Sequence, residues 1–565
     1  VTSISRRRFL KGTFAVGAGA LVSVFSDGSY KLAFAQGRGP VRYRLQVLHT
    51  NDHHARIEPV PASTTAPVRP SHGGVARRKT LIDQFRAAAA AARRPLVLLD
   101  AGDVFQGTLY YNQYKGQADL EFYNAMGYDA MTIGNHEYDN GQQPLAEFIL
   151  GANFPVLSAN TVVDASSPLS GLIRAGTIVE RGGKKIGIFG LTTPDTVTIS
   201  NPGPGISFTD VVEAAKEQVK ALRRAGAEII IALTHIGYEN DVLLARSVDQ
   251  INLIIGGHSH TPMAPMDGVT TPVYPVVERS PGGNRVVIVQ DWEWGRWLGN
   301  LTLSFNNGGE VVGVEGAPAH VLATVTPDAA FEERVAFYKA PLDLLLQLEI
   351  GVTDVFLDGE RNNVRSRETN LGSLIAEAML AQARFDGAQI AITNGGGIRA
   401  SINVGPVTVG EVLTVLPFGN TLARADLTGA QLKTALEQGV RNYVVGSASP
   451  AGNFPQVAGI RFRFDPALPA GSRVTELTLA DGTPVSPAAT YRVVTNNFML
   501  AGGDGFVAFT EGANRFDYGF VMADEVMDYI GANSPITAGT DGRIAIGPAP
   551  VGLRTAPAAA QLVTA

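Results

Sequence analysis

Eight of the nine histidines of this chain lie before residue 261, the ninth is His320, and several of them stand where a short apolar run gives way to a polar loop. That placement constrains the fold more than any other feature. Leu45–Leu48 runs into Thr50-Asn51-Asp52-His53-His54, and Leu96–Leu99 runs into Asp100-Ala101-Gly102-Asp103. Ala130–Ile133 leads to Gly134-Asn135-His136-Glu137, Ile229–Leu233 to Thr234-His235, and Leu253–Ile255 to Gly256-Gly257-His258-Ser259-His260. Together with Ile186–Phe189, these runs read as strands. They alternate with helical stretches such as the Ala-rich Val75–Arg93, which is the pattern of an α/β domain. Ligands of open α/β sheets bind at the carboxyl ends of strands, so five strand ends bearing Asp, Asn and His are expected to meet on one rim.

The residue types on that rim narrow the chemistry. The chain has no cysteine, which excludes disulfides, thiolate metal sites and cysteine nucleophiles. Any metal must be held by His, Asp, Glu or Asn. Asp carries charge and can bridge two cations, neutral imidazole is a common nitrogen donor, and Asn adds a neutral oxygen. Such a mixed set suits Mn, Zn, Co or Fe better than Ca. Two such cations, ~3.5–4 Å apart, can clamp the oxygens of an in-line displacement. Each piece alone is weak, since a single His at a strand end is more often a hydrogen-bonded structural residue. The weight lies in the ordered set.

That set closely resembles the calcineurin-like two-metal phosphoesterases, whose ordered signature is Asp-x-His, Gly-Asp, Gly-Asn-His-Glu, His and Gly-His-x-His. The resemblance implies one metal held by Asp52, His54, Asp103 and His260, and a second held by Asp103, Asn135, His235 and His258, with Asp103 bridging. It implies that His136 is not a ligand but faces the substrate, oriented by Asp139.

A chain of 565 residues is too long for one ordinary domain, and 45% hydrophobic with 17% charged residues permits large cores and excludes wholesale disorder. Residues 1–35 resemble a twin-arginine signal peptide. Ser5-Arg6-Arg7-Arg8-Phe9-Leu10-Lys11 precedes an apolar run from Gly12 to about Phe25, and Ala33-Phe34-Ala35 offers a small-x-small cleavage pattern. The resemblance implies the twin-arginine export machinery as partner and a periplasmic or extracellular location. The apolar run is too short for a comfortable membrane span, so no stable membrane anchor is expected. Val1 reads as the literal translation of a non-AUG start codon. The net charge of −6, with no strongly basic run beyond the N-terminus, argues against a duplex nucleic acid partner.

The α/β domain is expected over residues 41–325 and a linker helix over 326–349, starting at Thr326-Pro327-Asp328. A second domain without histidine follows over 350–547, and a disordered Ala/Pro-rich tail over 548–565. Within the second domain, Leu371, Leu374, Ile375, Ala378 and Phe385 read as one buried helix face after an Asn370 cap. Four loops carry possible chemistry: Arg361-Asn362-Asn363-Val364-Arg365, Asn394-Gly395-Gly396-Gly397-Ile398-Arg399, Leu416-Pro417-Phe418-Gly419-Asn420 and Asn497–Gly505. Arg forks match phosphate oxygens, and exposed Phe faces can sandwich a base. An isolated Phe, however, is more often core, and an isolated Arg more often solvated surface.

Taken together, these loops resemble the C-terminal domain of the 5′-nucleotidases, including the periplasmic 5′-nucleotidase/UDP-sugar hydrolase type. The resemblance implies a four-layer α/β-sandwich metallophosphoesterase domain joined by a helix to an α+β substrate-binding domain. It implies base stacking by Phe418 and Phe498, base or ribose contacts from Asn420 and Asp504, and phosphate contacts from Arg361, Arg365 and Arg399. It further implies that the second domain rotates to carry substrate to the metals. The expected function is an exported two-metal phosphohydrolase acting on 5′-nucleotides, extending to nucleotide-sugar or dinucleotide pyrophosphates. A 2′,3′-cyclic nucleotide phosphodiesterase and a thiosulfohydrolase stay open on the same scaffold. A non-catalytic nucleotide-binding protein fits less well, since a binder needs no His136–Asp139 dyad.

Overall fold

The computed structural model describes residues 40–62, 70–200, 202–266, 269–447 and 450–548, with three short strands before residue 35. The Ser5–Lys11 motif and the tail from residue 549 lie outside the described residues. The chain divides into two compact units, Val1–Leu344 and Leu345–Ala565.

The first unit is built on two sheets. In one, Tyr43–Thr50, Leu96–Asp100, Ala130–Thr132 and Val156–Leu157 pair in parallel in that order. Trp297–Phe305 pairs antiparallel on the far side of Tyr43–Thr50. Val311–Gly316 and the short strands Tyr30–Phe34, Ala20–Val24 and Thr13–Ala15 extend that edge, and Ala319–His320, paired with Trp297–Phe305, completes ten strands among the described residues. In the other sheet, Lys184–Thr192, Ile229–His235, Leu253–Gly256 and Arg285–Val289 run parallel at the centre of six strands.

Alternation along the strands explains why the sheets stack. Side chains of period two point to opposite faces. Leu45, Val47, Val97 and Leu99 share one buried cluster with Ile229, Ile231, Leu233, Leu253 and Ile255, which fills the space between the sheets. Leu48, Leu98 and Met131 face outward into a second cluster with the helices Val75–Ala91 and Gln117–Met126. Ile230, Ala232 and Ile254 face outward from the other sheet against Val211–Arg224 and Tyr238–Ser247. The result is a four-layer helix–sheet–sheet–helix sandwich. His235 continues the odd-numbered series and so points between the sheets.

A helix, Ala329–Leu346, follows the first unit's last strand, and Asp328 caps it by accepting from Phe331 N–H at 3.0 Å. The second unit centres on a five-stranded sheet in the order Pro455–Ala458, Ile390–Asn394, Thr490–Asn496, Thr421–Thr428, Ala513–Val521. Asn370–Ala383 and Met522–Ala532 cover one face, and Gly429–Val440 the other. Leu371, Leu374, Ile375 and Ala378 are buried, but Phe385 is 70% exposed, because the α-helix gives way at Arg384 to a tighter turn that breaks the 3.6-residue phase. The helix is capped by Thr369, not Asn370. The Thr369 hydroxyl accepts from Gly372 N–H, while the Asn370 side chain reaches across to Asp358, Phe356 and Ala538.

Candidate functional site

Two loops of the first sheet are stitched together by their backbones. Asp52 N–H donates to Gly102 O (2.9 Å), His54 N–H to Asp103 O (2.9 Å) and Ala55 N–H to Val104 O (2.8 Å). Their close approach forces unusual backbone conformations. Asp52, His54, Asp103, His258 and His260 all have left-handed φ, between 45° and 76°. Such conformations cost of order 1–3 kcal/mol each outside glycine and persist where the surroundings over-determine them.

The side chains so placed converge. His260 Nε2 lies 3.2 Å from Asp52 Oδ1, and His54 Nε2 lies 3.0 Å from His260 Nε2. His235 Nε2 stands 2.9 Å from Asp103 Oδ2, and His258 Nδ1 is 2.8 Å from Asn135 Oδ1. His54 Nε2 is 3.9 Å from Asp103 Oδ2 and 4.0 Å from Asp52 Oδ1. The structure thus brings all seven residues singled out on the strand ends into one cluster, drawn from both sheets. Asp52, His54 and His260 form one group able to hold a metal, and Asp103, His235 and His258 another.

Hydrogen bonding tests whether the cluster fits a cation. His54 Nδ1 is 3.2 Å from Phe105 O, and His260 Nδ1 is 2.8 Å from Glu293 Oε2. Both acceptors require a proton on Nδ1, so the two Nε2 atoms face each other at 3.0 Å, and His260 Nε2 also faces Asp52 Oδ1 at 3.2 Å. His235 Nδ1 donates to Ala101 O at 2.7 Å, which turns its Nε2 toward the Asp103 carboxylate. Electron-rich atoms meeting in this way call for positive charge between them. Titration behaviour agrees. Burial holds His54 down at about 3 and His258 at about 4, so both are neutral donors. Burial also disfavours charge on His235, but the neighbouring Asp103 outweighs it and raises His235 to about 9. His260 is likewise raised, burial being overridden by Asp52.

His136 sits beside this cluster, its ring centroid 5.1 Å from that of His54. Its Nδ1 donates to Asp139 Oδ2 (2.6 Å), and Ser200 Oγ donates to Asp139 Oδ1 (2.6 Å). By distance His136 could join His54 and Asp103 around a cation. Its backbone N–H instead donates to Asp103 Oδ1 at 3.0 Å. His53 points elsewhere, with Nε2 3.2 Å from the buried Asp119.

The second unit gathers its candidate residues at one end of its sheet. Phe418 and Asn420 precede Thr421–Thr428, and Phe498 follows Thr490–Asn496. These strands are antiparallel, with Leu422 opposite Asn496, so both phenylalanines leave the same edge. Thr421 N–H donates to Asn497 Oδ1 (3.3 Å), tying the two loops. Phe418 and Phe498 are 53% and 45% exposed, which removes the reading of either as a core residue. The Arg399 guanidinium lies 5.5 Å from the Phe418 ring centroid. Arg365 is buried, with Nε lacking a hydrogen-bond partner, and burial followed by the charges of Arg361 and Arg399 lowers its pKa. Asp504 accepts from Asn394 Nδ2 at 2.7 Å and has a left-handed φ of 51°.

Sequence reasoning passed over Ser200, Glu293 and the role of Glu137. Glu137 is wholly buried, and its carboxylate accepts from Asp103 N–H (3.0 Å), Val104 N–H (2.7 Å), Phe105 N–H (3.1 Å) and Gly134 N–H (2.5 Å). Burial, then the Asp103 charge, raises its pKa to about 7. Glu137 stood in the Gly134–Glu137 strand end and Glu293 follows the end of another apolar run, Val286–Val289, whereas Ser200 left no such signal.

Comparison with known proteins agrees with this geometry. The calcineurin-like phosphoesterase profile matches residues 45–262, and the 5′-nucleotidase C-terminal domain profile matches 349–511. The trifunctional nucleotide phosphoesterase YfkN of Bacillus subtilis is 40% identical over 541 residues, 87% of this chain but 34% of that protein, so the chain spans about a third of its length. A 5′-nucleotidase of Diplobatis ommata is 36% identical over 94% of this chain and 93% of its own. The crystal structure of a 5′-nucleotidase precursor from Thermus thermophilus is 44% identical, covers 90% of this chain and 100% of its own, and superposes with a TM-score of 0.62.

Replacing Glu137 with Gln should destabilise the first unit by about 2–4 kcal/mol, because an amide NH₂ would confront backbone donors that now find an oxygen. Urea denaturation checks this; a change below ~0.5 kcal/mol would show that the carboxylate does not organise these loops.

Proposed function

This chain belongs to the 5′-nucleotidase family and is a metal-dependent phosphoester hydrolase, and on that premise we propose that it releases phosphate from 5′-nucleotides after export. One divalent cation would be held by Asp52, His54, Asp103 and His260, and a second by Asp103, Asn135, His235 and His258. The observation that carries this assignment is the pair of Nε2 atoms on His54 and His260, facing each other at 3.0 Å beside the Asp52 carboxylate with both Nδ1 atoms committed elsewhere. When bound, such a pair of cations supplies a water-derived nucleophile at neutral pH and neutralises charge on the phosphoryl oxygens.

The chain's own side chains do the rest. His136 donates from its ring to a phosphoryl oxygen, held in orientation by Asp139, which Ser200 braces. Arg361, Arg365 and Arg399 grip phosphate through their guanidinium forks. Arg365 is already desolvated by burial, which strengthens its pull on an anion. Phe418 and Phe498 stack the base, while Asn420 and Asp504 contact base or ribose. Exposed aromatic rings beside three arginines are wasted on a small sulfur ester, which argues against a thiosulfohydrolase. Export rests on Ser5–Lys11 and the apolar run behind it. Among the described residues no helix is long and apolar enough to cross a membrane.

Chelation should abolish AMP hydrolysis and Mn²⁺ should restore it. Full activity in a sample shown by elemental analysis to be metal-free would contradict the reading. Replacing Phe418 with Ala should raise KM for AMP roughly 5- to 150-fold, the equivalent of ~1–3 kcal/mol of stacking, and leave p-nitrophenyl phosphate little changed. Equal loss on both substrates would reject the stacking role.

A further inference from the structure

The histidines of the metal cluster differ in what backs them. His54 and His235 turn their Nδ1–H to backbone carbonyls, Phe105 O and Ala101 O. His258 uses Nδ1 toward Asn135. His260 is the one of the four that donates to a carboxylate, Glu293 Oε2 at 2.8 Å. A carboxylate behind a ligating imidazole fixes its tautomer and raises its basicity more than a neutral carbonyl does.

Glu293 is itself held with unusual thoroughness. Its Oε1 lies 3.2 Å from Arg296 Nη2. The Arg296 guanidinium lies 4.4 Å from the Trp292 ring centroid and 4.6 Å from that of Trp294, and Arg56 lies 4.4 Å from Trp294. The loop's backbone is pinned to the other side of the same cation position. Trp294 N–H donates to Asp52 O (2.7 Å), and Asn51 Nδ2 donates to both Trp292 O and Asp52 Oδ2 (2.7 Å each). Trp292 and Trp294 take left-handed φ of 77° and 58° to allow this. One loop therefore fixes both the backbone of Asp52 and the ring of His260.

We infer that Glu293 is a positioning residue that sets the affinity of the Asp52–His54–His260 position for its divalent cation, independently of the second position. The inference rests on the ligand assignment proposed above. It makes the two positions unequal by construction, one backed by a charged carboxylate and the other by a peptide carbonyl.

The test is Mn²⁺ binding to the full chain, measured by isothermal titration calorimetry and by metal content per chain, for wild type, Glu293→Ala, Glu293→Gln and His260→Ala. In Glu293→Ala one of two binding constants should weaken by about 10–100-fold and the other should hold. Glu293→Gln keeps an acceptor oxygen without the charge and should fall between, and it carries the test if the alanine variant does not fold. Two wild-type constants in the Glu293 variants, or two constants falling together, would overturn the inference. If His260→Ala loses one position and Glu293→Ala loses none, only the role of Glu293 fails. If His260→Ala keeps both positions, the ligand assignment itself fails.

Discussion

Asp52 and Asp103 place two carboxylates in the interior, 0% and 1% exposed, within reach of one another's field. Burial alone would force protons onto both. His260 reverses that for Asp52, by charge and hydrogen bond, and His235 does so for Asp103. The site therefore holds anions only by drawing positive charge onto itself, which the imidazoles from both sheets supply. A buried carboxylate without compensation is among the costliest features a fold can carry. Here two of them lie where strand ends of two sheets can each contribute donors.

The strain is distributed in the same way. Left-handed residues at Asp52, His54, Asp103, His258 and His260 are tolerated because neighbouring backbones hydrogen-bond across the loops and Glu137 gathers four amide protons at their base. Glu137 works from below the cluster and Glu293 from its side. Glu137 accepts from the backbone of the Asp103 and Gly134 loops, and Glu293 accepts from the His260 ring. The strand interiors need no such devices, since ordinary alternation buries their side chains between layers.

Much of this was legible in the sequence. Each of the five strand ends that carries Asp, Asn or His was readable because an apolar run of strand length stops where the polar residues begin. The choice between His53 and His54 was not readable from composition. It followed from resemblance, and in the fold His53 serves a buried contact with Asp119. The partners of Glu293 and Ser200 lie 33 and 61 residues away, so even the strand-end position of Glu293 does not say what it touches. Phe385 was misplaced because the heptad-like spacing continues past the point where the helix tightens. The Thr369 cap was misread by one residue because Thr and Asn are both good caps and only the backbone decides between them.

In the proposed assignment two cations share Asp103. Anomalous diffraction from crystals grown with Mn²⁺ tests this directly. Two peaks ~3.5–4 Å apart, one against Asp52, His54 and His260 and the other against Asn135, His235 and His258, are the expected result. A single peak, or none within this cluster, would contradict it.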